Sequence, residues 1–253
     1  MLEGYIHDQL KQRDILLMTH IVMGYPSFEA SLEIVAAMVD AGVDLMELQI
    51  PFSEPIADGP VILAANQRAL ERGATVAKCI DFARDAAARF DIPFLFMSYY
   101  NILYRYGVAR FVDMMADSRI QGAIVPDLPP EEGGDYIAAM AGRNLDPIHI
   151  YAPTTPLERM KRIADVSRGF IYCVARKGVT GAETDFSTDL EYYLARCRQA
   201  TQLPLAVGFG VKSRADIDFL RGKADIAVVG SETIRLMDRE GTGAVAAFIR
   251  TLR

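Results

Sequence analysis

Short apolar runs alternate with helix-length stretches from one end of the chain to the other. Residues 15–23, 43–50, 92–98, 121–125, 147–151, 169–175, 203–207 and 224–229 are β-tolerant and of strand length. Between them, apolar positions recur at helical spacing over 28–41 (Leu32, Val35, Ala36 and Val39, with Ser27 placed as a cap), 61–72, 76–90, 108–116, 131–144, 156–166, 187–201 (Ser187 as cap), 213–221 and 243–252. Residues 2–13 predict an amphipathic helix that plugs one end, and 232–237 a short extra helix after the eighth strand. Strict β/α alternation argues for a parallel sheet. Eight such units in 253 residues predict one α/β domain over 1–253, a (β/α)8 TIM barrel with an N-terminal capping helix. A doubly wound open sheet is the alternative.

One stretch breaks the pattern. The second strand carries Glu47 inside an otherwise apolar run, and Pro51 ends it. A loop with further prolines follows and reaches Asp58, just before Gly59-Pro60 and the next helical run. A carboxylate in a buried strand is costly unless it is paired, neutralised or used. Glu47 is therefore either a salt-bridged core acid or half of an acid–base pair. In the second reading its apolar strand tunes it up while Asp58 stays ionised in a polar loop. In a barrel both lie at the carboxyl ends of the strands, where such folds hold their chemistry. His20, Tyr99, Asp127, Tyr172 and Arg176 also fall at strand ends.

Small residues cluster after three consecutive late strands: Gly178-Val179-Thr180-Gly181, Gly208-Phe209-Gly210 and Gly230-Ser231. Each alone reads as turn chemistry. Together, with a short helix starting after Ser231, they match the phosphate cradle that barrels build from their last loops. No G-x-x-x-x-G-K-[ST] is present, so this is not a P-loop.

Composition narrows the class. Hydrophobic residues make up 51%, enough for a large core, and the net charge of −6 argues against nucleic acid as a partner. No apolar run has the length of a membrane span, and the N-terminus lacks the charged and apolar regions of a signal peptide. The three cysteines, Cys79, Cys173 and Cys197, are widely spaced, and the three histidines do not cluster. That predicts a cytoplasmic protein with neither a disulfide framework nor a metal site.

The run Glu47-Leu48-Gln49-Ile50-Pro51-Phe52-Ser53-Glu54-Pro55-Ile56-Ala57-Asp58-Gly59-Pro60 resembles the signature of the tryptophan synthase α-subunit family. Tyr99-Tyr100-Asn101, Val125-Pro126-Asp127-Leu128-Pro129, Ala152-Pro153-Thr154-Thr155-Pro156, Arg176-Lys177-Gly178-Val179-Thr180-Gly181, Gly208-Phe209-Gly210 and Gly230-Ser231 follow in the family's order. The resemblance implies a barrel that cleaves indole-3-glycerol phosphate to indole and glyceraldehyde 3-phosphate. It implies an α2β2 complex in which only the β-subunit carries pyridoxal phosphate. By resemblance Glu47 moves the protons and Asp58 stabilises charge at the ring N–H. Tyr99, Tyr172, Arg176 and Thr180 stand near the substrate, Ile62, Ile124 and Ile150 line the indole pocket, and Gly181, Phe209, Gly210, Gly230 and Ser231 hold the phosphate. The three isoleucines read equally well as plain barrel core.

Three positions depart from the family pattern. Gln49 replaces a glycine and, at strand period two, shares a face with Glu47, where it fills part of the pocket or bonds the glutamate. His20 replaces an aromatic residue and makes that wall polar and titratable, or is a satisfied structural histidine. Glu54 replaces an aspartate in the loop facing the β-subunit. Gln49 and His20 motivate a second reading, a paralogous phosphate-binding lyase with another substrate. A third is a weakly active subunit that mainly activates a β partner.

Overall fold

The computed structural model describes residues 2–174, 188–208 and 210–253. The strands are β1 (Leu16–Val22), β2 (Leu45–Gln49), β3 (Phe94–Met97), β4 (Gly122–Ile124), β5 (Asp146–Tyr151), β6 (Ile171–Val174), β7 (Leu205–Gly208) and β8 (Ile226–Val229). They are all parallel and close in sequence order, β8 pairing back onto β1 through Leu16↔Ile226 to Thr19↔Val229. The open-sheet alternative is thereby excluded. Helices cover the outside: α2 (Phe28–Asp40), α3 (Pro60–Glu71), α4 (Val76–Arg89), α5 (Tyr100–Tyr106), α6 (Val108–Asp117), α7 (Gly134–Gly142), α8 (Leu157–Val166), α9 (Thr188–Ala200), α10 (Arg214–Leu220), α11 (Ser231–Glu240) and α12 (Thr242–Leu252).

Side chains alternate along each strand, and the two faces bury against different partners. Leu17, Ile21, Met46 and Leu48 pack outward under the helices. Leu16, Met18, Leu45, Leu95, Ile148 and Ile226 fill the barrel interior. α1 (Leu2–Leu10) closes the bottom as expected: Leu2 and Ile6 are wholly buried in that interior cluster. Burying each contributes about 1.5–3 kcal/mol. Asp44 fastens the same end. Its buried carboxylate accepts the Leu17 N–H at 2.7 Å and pairs with the guanidinium groups of Arg13 and Arg253.

Helix caps follow the predicted chemistry in part. The Ser27 hydroxyl accepts the Ala30 N–H at 3.1 Å at the start of α2. α7 begins at Gly134, three residues later than predicted, because 129–133 form turns: Glu132 donates to the Pro129 carbonyl and Gly133 to that of Pro130. α11 runs past the predicted 232–237 at both ends. α5 is absent from the sequence pattern. Its aromatic-rich run has no clear helical period, and its cap comes from 27 residues away, where the Asp127 carboxylate accepts the Tyr100 N–H at 2.9 and 3.1 Å. Among the described residues, no helix is long and apolar enough to cross a membrane, and no group of His, Cys, Asp and Glu is placed to hold a metal ion.

His149, on β5, is buried against Ser167. The Ser167 hydroxyl donates to the Ile163 carbonyl at 2.6 Å, so it accepts from His149 Nδ1–H at 3.0 Å. Burial pushes this imidazole from its ordinary 6.5 down to about 4. Between those values the unfolded chain binds a proton that the folded chain refuses. Stability therefore falls as pH drops from about 6.5 towards 4, by up to ~3 kcal/mol from this group. Urea denaturation over that range checks it: His149→Asn, which keeps a donor for Ser167, is expected to show a shallower acid loss, and equal slopes in the two proteins would exclude His149 as the source.

Candidate active site

One cavity at the carboxyl ends of the strands gathers most of the predicted site. His20, Glu47, Asp58, Ile62, Ile124, Ile150, Tyr172, Gly210, Gly230 and Ser231 all line it. Period-two alternation explains the convergence, since His20, Glu47, Ile124, Ile150 and Tyr172 share the inward parity of Met18, Leu45 and Ile148. Arg176, Thr180, Gly181 and Phe209 lie outside the described residues.

The two acids sit side by side over the mouth. Glu47 is 2% exposed and Asp58 9%. Parallel register sets His20 of β1 directly beside Glu47 of β2. His20 Nδ1 lies 3.0 Å from Glu47 Oε2, and its Nε2 lies 2.8 Å from Gln49 Oε1. Gln49 Nε2 in turn donates to Asp58 Oδ2 at 2.6 Å. Gln49 thus serves His20 and Asp58, not the glutamate as one of the sequence expectations had it. Glu47 Oε1 is buried and has no hydrogen-bond partner among the described residues.

The loop carrying Asp58 is pinned from both sides. The Asn66 side chain accepts the Phe52 N–H at 2.9 Å and donates to the Ile62 carbonyl. Tyr99 accepts the Ala57 N–H at 3.1 Å through its hydroxyl and stacks on Phe52 at 5.1 Å. Gln49 and Tyr99 are both wholly buried and stand behind the cavity wall instead of on it. Each braces the loop that carries Asp58, Gln49 through the Asp58 carboxylate and Tyr99 through the Ala57 N–H.

Burial sets the electrostatics. It pushes the Asp58 carboxyl up, with His20, Gln49 and Tyr99 pulling the other way. Burial alone would push the His20 imidazole down, but the hydrogen bond and charge of Glu47, then the charge of Asp58, outweigh it and hold His20 above its ordinary value. Tyr172 is pushed well above the phenol range by burial and by the charges of Glu47 and Asp58, so it stays a neutral hydroxyl.

Away from the acids the walls are apolar, formed by Ile62, Met97, Ile124, Ile150, Val174 and Val228. α11 starts at Ser231, with Gly230 as its N-cap, and both residues line the cavity, where a helix N-terminus leaves backbone N–H groups free. Gly210 also lines the cavity, at φ +90°, a conformation that favours glycine. Two cations missed in the sequence reading, Lys212 and Arg235, line the same cavity. Arg235 was legible in principle, standing four residues after Ser231 on one helix face. The cavity thus combines two acids, an apolar wall, two cations and a helix N-terminus.

Comparison with known proteins agrees with this arrangement. A profile described as "Tryptophan synthase alpha chain" matches residues 6–251. The tryptophan synthase alpha chain of Desulforapulum autotrophicum is 67% identical over 252 residues, covering 100% of both chains. That of Syntrophotalea carbinolica is 64% identical over 253 residues, again covering 100% of both. Among solved structures, one of Mycobacterium tuberculosis tryptophan synthase is similar with a TM-score of 0.92 at 32% identity, over 98% of this chain and 95% of that one. A chain of the Pyrococcus furiosus tryptophan synthase complex gives 0.86 at 28% identity, over 94% and 97%.

Gly208 shows how tightly the site is packed. A Cβ there would lie 2.7 Å from the Tyr172 hydroxyl oxygen and 2.9 Å from its ring. Gly208→Ala is expected to turn the Tyr172 ring away from β7 and to cost about 1–3 kcal/mol, as overpacking does. A crystal structure of the variant with a denaturation curve checks this; an unmoved ring at unchanged stability would show that the packing is looser than described.

Proposed function

The chain belongs to the tryptophan synthase alpha chain family, and from that premise we propose how its residues carry the family's reaction. It is a carbon–carbon lyase of tryptophan biosynthesis that cleaves indole-3-glycerol phosphate to indole and glyceraldehyde 3-phosphate. The observation that carries the assignment of roles is a pair of buried carboxylates in one largely apolar cavity that a helix N-terminus also lines.

The indole ring lies between Ile62, Ile124 and Ile150, and the phosphate sits at Gly210, Gly230 and Ser231, with Lys212 and Arg235 adding charge. Glu47 delivers a proton to ring carbon C3, which leaves the ring cationic. Asp58 stabilises the positive charge at the ring N–H. The hydroxyl on the carbon attached to C3 then gives its proton back to Glu47. The C–C bonding electrons return to the ring, restoring aromaticity, and that carbon becomes the aldehyde. The proton given equals the proton taken, so the step needs no cofactor in this chain. Tyr172, held neutral, stands beside the reacting atoms as a hydrogen-bonding group. The partner in this reading is a tryptophan synthase β-subunit carrying pyridoxal phosphate, in a cytoplasmic α2β2 assembly; a relative's chain comes from a tryptophan synthase complex.

Indole release by the purified chain, with and without a β-subunit, tests the reading. Glu47→Gln is expected to stay folded and lose about 10²- to 10⁴-fold in kcat. Wild-type turnover is expected to rise on adding the partner. Retained turnover in the variant would remove Glu47 from the chemistry. Lys212→Ala is expected to raise KM more than it lowers kcat, and the opposite pattern would place Lys212 at the reacting end.

A further inference from the structure

The hydrogen bonds across the top of β1 and β2 fix where protons reside. A carboxamide offers one accepting oxygen and one donating nitrogen. Gln49 spends its nitrogen on Asp58 Oδ2, so its oxygen accepts from His20. His20 Nε2 therefore carries a hydrogen. That leaves Nδ1 facing Glu47 Oε2 at 3.0 Å, a contact that holds one proton, on nitrogen or on oxygen. Glu47, His20, Gln49 and Asp58 thus form one unbroken chain, its members 2, 5, 0 and 9% exposed.

We propose that His20 and Gln49 are positioning residues for the lyase step: their bridge holds a proton on His20 Nδ1 against Glu47 Oε2, leaves Oε1 as the oxygen that exchanges protons with substrate, and couples the charge of Glu47 to that of Asp58. The inference rests on the reading of Glu47 as the acid–base group. Two carboxylates in one dry cavity repel, and a protonated imidazole linked to both offsets that repulsion. When Glu47 releases its Oε1 proton to the ring, the new negative charge meets an N–H already in place, with no reorganisation. The charge developing near Asp58 is felt by the same bridge. The titratable groups facing His20 are Glu47 on β2 and Asp58 on the loop after it. Among the described residues the same cavity also holds the Tyr172 hydroxyl, Lys212 and Arg235, and from the end of β8 Gly230 lies against His20.

Two measurements on the full chain test the proposal. The first is ¹⁵N NMR of histidine-labelled protein, where three imidazoles are few enough to assign. His20 is expected to keep Nε2 protonated across neutral pH, with a downfield Nδ1 proton signal that disappears in Glu47→Gln. A bare Nε2 would overturn the bridge. The second is the pH profile of indole release for His20→Phe, His20→Asn and Gln49→Met. His20→Phe is expected to lower kcat about 10- to 100-fold, with less than about threefold change in KM. It should also shift the pH profile of turnover by about one pH unit. His20→Asn, whose amide replaces the donor to Oε2 but does not titrate, is expected to recover part of kcat and none of the profile. Gln49→Met should shift the profile in the same direction by a smaller amount. Folded variants with wild-type pH profiles would show His20 and Gln49 to be wall residues only. Should Glu47→Gln retain turnover, the acid–base reading falls, while the NMR signature would still report the bridge.

Discussion

Closure of β8 onto β1 is the constraint from which the rest follows. A closed parallel sheet has no free edge, and its alternation leaves each side chain one of two destinations. The outward set packs under the helices and supplies most of the core. The inward set competes for a narrow interior. Its lower half is filled by aliphatic residues and the plug of Leu2 and Ile6. Its upper half is where the same parity delivers His20, Glu47, Ile124, Ile150 and Tyr172 to one cavity. Chemistry and stability are separated along the barrel axis by position alone.

Within that upper half, low dielectric makes the polar groups depend on one another. A buried carboxylate without partners is destabilising, and here the two acids, one imidazole and one amide answer for each other's donors and acceptors. Behind the wall, Tyr99 and Asn66 hold the loop that brings Asp58 over the mouth. Precision at the site is therefore supplied by fully buried residues that do not line it.

The sequence was most informative where a residue contradicted its surroundings. Glu47 in an apolar strand, Asp58 among prolines and glycines after consecutive late strands each stood out from their local pattern. The eight-fold repeat was legible for the same reason, because strand and helix periods differ. What was not legible depends on pairing in space. Nothing in the order of residues says that His20 stands level with Glu47; the β1–β2 register does. Gln49 was placed on the face of Glu47, but its partners, His20 and Asp58, were not among the readings offered for it. α5 escaped because the carboxylate that caps it comes from Asp127 on another loop. Lys212 and Arg235 were not singled out, because only the folded chain brings them to the cavity.

The contact between Gly208 and the Tyr172 ring joins two neighbouring strands into a single unit of sequence change. The ring occupies the volume that a side chain on β7 would need, so neither position is free to vary alone. A drift towards bulk at 208 is admissible only alongside a smaller residue at 172, which gives up the hydroxyl facing the acids. Glycine at one position and tyrosine at the other should therefore be inherited as a pair. In a lineage that has lost the tyrosine, position 208 is the place to look for the side chain that took its room.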